Sequence, residues 1–241
     1  MASESKPPIT GVDTQDLPLD TKELRQELQK FLRHQLTKSL SLGGCKFGVY
    51  AFFDYDGEPI YVGQTRESLG TRIRRHLTNQ RTDAVAMSVL DPFEVHSIGV
   101  WPMPEFQGRS GKDAEVKKHL DSLEATVFVT LVAESRFKAV LNEKVPIAAT
   151  KVKLPKLIKS AIVTKEVQGL RGHPDLRLSR RAATIARLAQ VICERDVQPG
   201  LRRTLLVQAE RLTWLANERL KPFRKAVAEE DKKPESEEEG D

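Results

Sequence analysis

The chain has few cysteines and no long apolar run. Cys45 and Cys193 are the only thiols in its 241 residues, too few for a disulfide framework or a closed zinc site, so a reducing cytoplasm is the expected compartment. The longest apolar stretch, residues 125–133, is interrupted by threonines and falls far short of the roughly 20 residues that a membrane span needs. The amino-terminal residues include no apolar segment typical of a signal peptide. We therefore expect a soluble, unprocessed, cytoplasmic protein without a membrane partner.

The positive charge of the chain is unevenly distributed. The formal net charge of +5 and the sequence pI of about 9.2 favour a polyanionic partner. Residues 151–225 contain 18 Lys and Arg against 6 Asp and Glu, a surplus of +12, whereas residues 226–241 contain 2 against 8, a balance of −6. The hydrophobic fraction of 39% excludes a wholly disordered chain. The basic segment and the acidic end are therefore expected to follow a packed core.

Hydrophobic periodicity in the first two-thirds of the chain predicts a mixed α/β (α+β) domain. A capping-box pattern of Asp20 and Glu23 precedes an apolar stripe and predicts the first helix. Further along the chain, the patterns predict a hairpin, an arginine-rich helix, a third strand and a long helix, over residues 47–53 with 58–62, 68–80, 93–101 and about 112–137. A small sheet covered by helices follows from this order.

The hairpin pattern brings two tyrosines together. A two-residue turn at Asp56-Gly57 places Phe52 opposite Tyr61 and Tyr50 opposite Gly63. Because side chains alternate between the two faces of a strand, Tyr50 and Tyr61 lie on one face as diagonal neighbours. Two phenols are therefore predicted side by side.

Three other polar residues are spaced so that they can reach the same place. Arg72 and His76 are four residues apart on the predicted second helix and so share one of its faces. Glu124 lies at the edge of the apolar stripe of the long helix, where its carboxylate can reach the sheet. An arginine, an imidazole, a carboxylate and two phenols are typical of phosphodiester hydrolysis, in which a water loses a proton and charge builds on the phosphate.

The ordered motifs resemble a known family. Gly48-Val49-Tyr50, Tyr61-Val62-Gly63 with Gln64 and Thr65, the helical Arg72 with His76, and Glu124 together closely resemble the GIY-YIG nucleases of restriction, repair and mobile-element enzymes. The resemblance runs from about residue 47 to 142. It implies a GIY-YIG domain whose three-stranded antiparallel sheet is flanked by helices.

The resemblance also implies roles for individual residues. Tyr50 would be the general base or would orient the attacking water, and Tyr61 would position the water and the scissile phosphate. Arg72 would stabilise the transition-state charge, with His76 assisting, and Glu124 would be the sole protein ligand of Mg²⁺ or of another divalent metal such as Mn²⁺. For Tyr50 to act near neutral pH, nearby cations would have to lower the pKa of its phenol.

Four further residues have less certain parts in this pattern. Gln64 stands where some members of the family carry lysine, so a second cation near the phenols is missing. Asn142 matches the family's downstream asparagine, although the segment that separates it from Glu124 is longer than usual. Arg74 and Arg75 lie on the same helix as Arg72, and we expect them to contact the nucleic-acid backbone rather than to take part in chemistry.

The sequence divides into four parts on composition. Residues 1–19 are expected to be a flexible lead-in, 20–146 the GIY-YIG nuclease domain with its amino-terminal helix, 147–225 a basic and mainly helical region, and 226–241 a disordered acidic tail. Helices are predicted from Ser179 to about Glu194 and after Pro199. The basic region is compatible with a DNA-binding attachment, a dimer surface or a site for an acidic protein.

The leading hypothesis is a Mg²⁺-dependent endonuclease that hydrolyses DNA, with RNA as an alternative substrate. The rival is a nucleic-acid-binding module on the same fold that is catalytically weak or inactive. The presence of Tyr50, Tyr61, Arg72 and Glu124 together favours the enzyme. Sequence preference, nicking against double-strand cleavage, the biological process and the oligomeric state are not encoded in these patterns.

Overall fold

The computed structural model describes residues 17–78, 90–147 and 149–230 of the chain. Within these ranges the helices are α1 (Leu19–Leu32), α2 (Leu69–Leu77), α3 (Ala114–Glu134), α4 (Lys165–Arg171), α5 (Pro174–Glu194) and α6 (Pro199–Glu230). The strands are β1 (Gln35–Thr37), β2 (Leu40–Ser41), β3 (Gly48–Phe53), β4 (Pro59–Thr65), β5 (Ser97–Pro102) and β6 (Ile158–Ala161). None of the described helices has the length and apolar character needed to cross a membrane.

The central sheet is antiparallel and has the order β4-β3-β5-β6, while β1 and β2 form a separate small ribbon. The predicted mixed α/β class is confirmed, and the three predicted strands form the centre and one edge of the sheet. The fourth strand, β6, comes from the region that was predicted to be mainly helical. Its short, partly exposed segment pairs with β5, and β4 is the strand at the opposite edge.

The turn between β3 and β4 differs from the prediction, although the register beyond it does not. The amide of Gly57 donates to the carbonyl of Asp54 at 3.1 Å, and Gly57 has a positive φ of 77°. The loop therefore has three residues, a length that glycine in the left-handed region allows. An irregularity between Phe52 and Phe53 restores the register, so Tyr50 still faces Gly63.

The central sheet is covered on both faces, which explains why all six residues of β3 are buried. Alternation sends Tyr50 and Phe52 to one face, where they join a core that includes residues of α1, α2, α5 and α6. Val49 and Ala51 point to the other face and pack against α3. The two tyrosines thus lie on the face that carries α2, as the pattern predicts.

Several helix and strand boundaries shift for local reasons. Helix α1 begins at Leu19, and its first-turn carboxylate, Asp20, pairs with Arg171 at 2.9 Å instead of capping the helix. The third strand begins at Ser97 rather than at 93, since Pro92 opens a 3-10 turn that Asp91 caps. Helix α5 begins five residues before the predicted Ser179, because Pro174 occupies a favourable first-turn position.

Some predicted segments fall partly outside the described residues. Helix α2 begins after Ser68, whose hydroxyl accepts from the amide of Thr71, and its predicted continuation beyond Thr78 lies outside the described ranges. The predicted flexible residues 1–16 and the acidic residues 231–241 also lie outside them. Helix α6 reaches Glu230 and so enters the segment predicted as a disordered tail.

Buried arginines of α5 and α6 pair with carboxylates around the β3–β4 turn. Asp54, which is 1% exposed, accepts from Arg181 at 3.0 Å and from Arg211 at 2.5 Å. Arg177 forms two hydrogen bonds with Asp56. These arginines belong to the basic surplus of the carboxy-terminal region, but they neutralise buried carboxylates of the β3–β4 turn. They are therefore not available to a nucleic acid.

Candidate active site

An open cleft of about 370 Å³ lies beside β4, the edge strand of the central sheet. Its lining residues are Tyr61, Val62, Arg72, His76, Leu90, Glu124, Asn142, Glu143, Lys144, Val145 and Pro146. Four of the five residues predicted to form the catalytic site are among them. The fifth, Tyr50, lies directly beneath the cleft, where its hydroxyl contacts two of the four.

Helix α2 is held in place by the chain segment before β3. The amides of Leu69 and Gly70 donate to the carbonyls of Cys45 and Gly43, both at 2.9 Å. A Cβ at Gly70 would lie 2.8 Å from the Gly43 carbonyl oxygen, so only glycine allows this close approach. The start of α2 is therefore held against the segment before β3, and two residues of the helix, Arg72 and His76, line the cleft.

Tyr50 lies at the centre of the hydrogen bonds beneath the cleft. Its hydroxyl is 2.8 Å from Nε2 of His76, and Nε of Arg72 donates to it at 3.4 Å. The ring is fully buried and lies 6.2 Å from that of Tyr61, centroid to centroid. The predicted pairing of the two phenols on one face is therefore observed.

Gly63 leaves the space that the Tyr50 hydroxyl occupies. The two residues are directly opposite each other in the β3–β4 register. A Cβ on Gly63 would lie 2.5 Å from the hydroxyl oxygen of Tyr50, closer than any real contact. The glycine of Tyr61-Val62-Gly63 is thus needed for the tyrosine of the first triplet to reach α2.

Arg72 alone does not bring about the acidification of Tyr50 that was predicted from Arg72 together with a bound metal. Burial raises the pKa of the Tyr50 phenol far above its usual range, and the neighbouring Tyr61 raises it further. Arg72 acts in the opposite direction but does not compensate. The hydroxyl is therefore protonated at neutral pH in this arrangement.

Glu124 reaches the cleft from the other face of the sheet. Its Oε2 accepts at 3.0 Å from Nε2 of Gln64, which also donates to Oδ1 of Asp121 at 2.9 Å. Burial raises the pKa of the Glu124 carboxyl, with Asp121 adding to the effect, while Gln64 and Arg72 lower it. Gln64 thus bridges two carboxylates at the position where a lysine would supply a positive charge.

The residues around Glu124 fit a hard divalent cation held by few protein ligands. Carboxylate oxygens are the donors that Mg²⁺ prefers, and Mg²⁺ usually keeps several waters. The amide oxygen of Gln64 is buried and has no hydrogen-bond partner among the described residues, so this corner has an oxygen that is not satisfied by protein donors. No group of three or more His, Cys, Asp or Glu suited to a metal occurs within the described ranges.

Asn142 contacts the edge strand rather than the catalytic groups. Its side-chain oxygen accepts from the amide of Val62 at 2.9 Å, and its nitrogen donates to the carbonyl of Val62 at 2.7 Å. The amide of Leu141 donates to the carbonyl of Ile60. The segment after α3 therefore completes the hydrogen bonding of β4, and its next residues form the rim of the cleft.

The remaining arginines of α2 lie outside the cleft lining. Arg74 is exposed, and Arg75 forms an ion pair with Glu67 at 2.8 Å. Both lie on the helix that carries Arg72, and their contact with the nucleic-acid backbone stays a prediction.

Sequence reasoning missed Asp121 and Lys144. Asp121 precedes Glu124 by three residues on α3, so helical spacing alone could have identified it. Lys144 has no such signal, because the course of its segment depends on the pairing of Asn142 with β4.

Comparison with known proteins bears on residues 46–105. The family model described as GIY-YIG catalytic domain matches these residues, which include Tyr50, Tyr61, Arg72 and His76, whereas Glu124 and Asn142 lie beyond the matched range. The comparisons with curated proteins and with solved structures gave no match. The match places a GIY-YIG catalytic domain at residues 46–105 of this chain.

Proposed function

We propose that the protein is a Mg²⁺-dependent endonuclease that hydrolyses phosphodiester bonds of DNA. The observation that carries the proposal is the presence of Tyr61, Arg72, His76 and Glu124 around one open cleft. A cation, an imidazole, a phenol and a carboxylate on opposing walls suit a phosphodiester placed between them.

Arg72 and Tyr61 are suited to hold the phosphate. The guanidinium of Arg72 is half-buried at the cleft wall, where a low dielectric strengthens its attraction for a phosphate oxygen. In this proposal its terminal nitrogens donate to the phosphate while its Nε donates to Tyr50. Tyr61, half-buried on the same wall, positions the phosphate or the attacking water.

Tyr50 and His76 are suited to organise proton transfer. Nε of Arg72 can only donate, so the Tyr50 oxygen accepts from it, and in this proposal the Tyr50 hydroxyl donates to Nε2 of His76. His76 then carries its own proton on Nδ1. In this proposal the buried Tyr50 orients His76 and Arg72, and it becomes a base only when added positive charge in the cleft lowers its pKa.

Glu124 would hold the divalent cation, with Asp121 and Gln64 behind it. A bound cation would supply positive charge beside the scissile phosphate. Burial raises the pKa of the Glu124 carboxyl in the protein alone, and a cation bound beside it would favour the charged carboxylate. Gln64 keeps the carboxylate pointing into the cleft through its hydrogen bond.

One observation favours a second function, a nucleic-acid-binding module without turnover. The pKa of Tyr50 is raised rather than lowered, and Gln64 supplies no charge to correct it. The same cleft would then bind a phosphate backbone but cleave it slowly or not at all. DNA binding without nicking under several divalent metals would support this alternative.

Nicking of supercoiled plasmid tests the proposal. Wild type, Glu124→Gln and Glu134→Gln are each incubated with Mg²⁺, with Mn²⁺ and with EDTA. Glu134 is an exposed residue of the same helix and provides the matched control. We expect nicking by wild type and by the control only with metal, and loss of nicking in Glu124→Gln. Nicking that persists in Glu124→Gln would refute the assignment.

A further inference from the structure

A run of lysines without carboxylates follows the cleft in sequence. Residues 144–165 contain six lysines and no Asp or Glu. We call residues 144–147 and 149–159 the lysine strap; its lysines are Lys144, Lys151, Lys153, Lys156 and Lys159. All five are exposed.

The lysine strap leads from the cleft across the α3 side of the sheet. Lys144 lines the cleft at the β4 edge, and the strap ends in β6 at the opposite edge. Midway, the amide of Val152 donates to the hydroxyl of Thr126 on α3 at 3.1 Å. With strands about 4.8 Å apart, β6 lies roughly 14 Å from β4, a distance of about four base pairs of DNA.

The strap presents its lysines outward because its apolar residues are anchored. Val152 and Leu154 are half-buried against the core beneath α3. Lys151, which precedes Val152, and Lys153, which lies between the two apolar residues, are exposed. This period of two is that of an extended chain with one face packed. The lysines are therefore held on one surface instead of on a free loop.

The strap lysines differ from the arginines of the helices that follow. Among the described residues, no carboxylate forms an ion pair with any strap lysine, whereas Arg177, Arg181 and Arg211 are buried in ion pairs. Lys159 instead lies over the ring of Phe53 at 3.5 Å. The basic surplus thus divides into inward-facing arginines and an outward-facing strap.

We infer that the lysine strap binds the phosphate backbone of the DNA that continues beyond the cleft. The inference rests on the proposed function, since it names the surface along which the substrate of that cleft lies. Lysine ammonium groups bind phosphates as point charges without reading sequence. A strap that starts at the cleft itself fits the flanking DNA better than it fits an unrelated acidic protein.

Equilibrium binding in EDTA tests the strap apart from catalysis. Fluorescence anisotropy of a labelled DNA duplex is measured over a series of salt concentrations for wild type and for the triple variant Lys151→Gln, Lys153→Gln, Lys156→Gln. If each lysine neutralises one phosphate, the slope of log K against log salt falls in magnitude by about 2.7, equally for unrelated sequences.

The matched control removes three exposed cations from the other face of the sheet. Arg25→Gln, Arg33→Gln and Lys38→Gln change the charge of α1 and the β1–β2 ribbon by the same amount. We expect this control variant to keep the wild-type slope. An equal fall in both variants would overturn the inference, because it would report net charge only.

The outcomes separate the strap from the nuclease proposal. Normal nicking with an unchanged slope in the strap variant would overturn the strap and leave the nuclease intact. A reduced slope in a protein that never nicks would support the strap and refute the nuclease. Displacement of the DNA by polyglutamate as readily as by unlabelled duplex would assign the strap to an acidic polypeptide and overturn the inference.

Discussion

The hydroxyl of Tyr50 and Nε2 of His76 lie 2.8 Å apart, although 26 residues separate them in the chain. The contact joins the central strand to the second turn of α2, and Arg72 donates to the same hydroxyl. Substitutions that enlarge or fill the space around this hydroxyl are expected to displace the residues that line the cleft above it.

Gly63→Ala is expected to destabilise the protein and abolish nicking. The added Cβ would lie 2.5 Å from the Tyr50 hydroxyl, so the ring or the strand must move. Overpacking of this kind costs about 1–3 kcal/mol, measurable by urea denaturation. Gly108→Ala serves as the control, because a Cβ there meets nothing within 4 Å. Gly63→Ala with wild-type stability and nicking would contradict the close approach of Gly63 to the Tyr50 hydroxyl.

The raised pKa of Tyr50 predicts a loss of stability in alkali. The folded phenol keeps its proton at a pH at which the unfolded phenol, with its pKa of about 10, has lost it. Stability is therefore unaffected below this pH and falls as the pH rises above it. Unfolding free energies of wild type and Tyr50→Phe between neutral and alkaline pH measure the effect, which should be smaller in the variant. Parallel pH profiles would show that Tyr50 does not contribute.

Asn142→Ala is expected to loosen the edge strand. The substitution removes both hydrogen bonds to Val62 and leaves a buried amide and carbonyl unpaired, at a cost of about 1–3 kcal/mol. Hydrogen exchange at the Val62 amide should accelerate, with little change at the β3 amides that pair with β5. Unaltered protection at Val62 would mean that water replaces the side chain without cost.

Asp54→Asn is expected to be the most destabilising of these changes. It leaves Arg181 and Arg211 buried with less negative charge, and breaking such pairs costs about 3–5 kcal/mol. Asp175→Asn provides a control, since its pair with Arg219 is exposed to solvent, where screening leaves an ion pair little effect on stability. Similar unfolding free energies for the two variants would contradict the buried network.

The sequence predicted what depends on local periodicity. The shared face of Tyr50 and Tyr61 followed from strand alternation, and the alignment of Arg72 with His76 followed from the helical repeat. The register of Tyr50 with Gly63 was predicted from a two-residue turn, and it holds because the irregularity between Phe52 and Phe53 compensates for the longer turn. The pairing of β6 with β5, the position of Lys144 and the ion pairs of Asp54 were not predicted. Each of them joins segments far apart in the chain, for which no short pattern exists.

The chemistry of Tyr50 could not be read from the sequence for a different reason. Its neighbours suggested a lowered pKa, but the sign of the shift depends on the competition between burial and charge. Burial of this ring is set by residues of several helices that close over the same face of the sheet. The residues near Tyr50 in the sequence therefore do not predict how deeply its ring is buried.

The ion pairs between Asp54 and the arginines of α5 and α6 limit how this nuclease domain can be moved between proteins. The hairpin that carries both tyrosines ends in a turn whose counter-charges are supplied more than a hundred residues later. A graft of residues 20–146 onto another chain would carry an unneutralised aspartate and lose the strand that covers β5. Recombination or protein engineering would therefore have to transfer the helical region together with the hairpin.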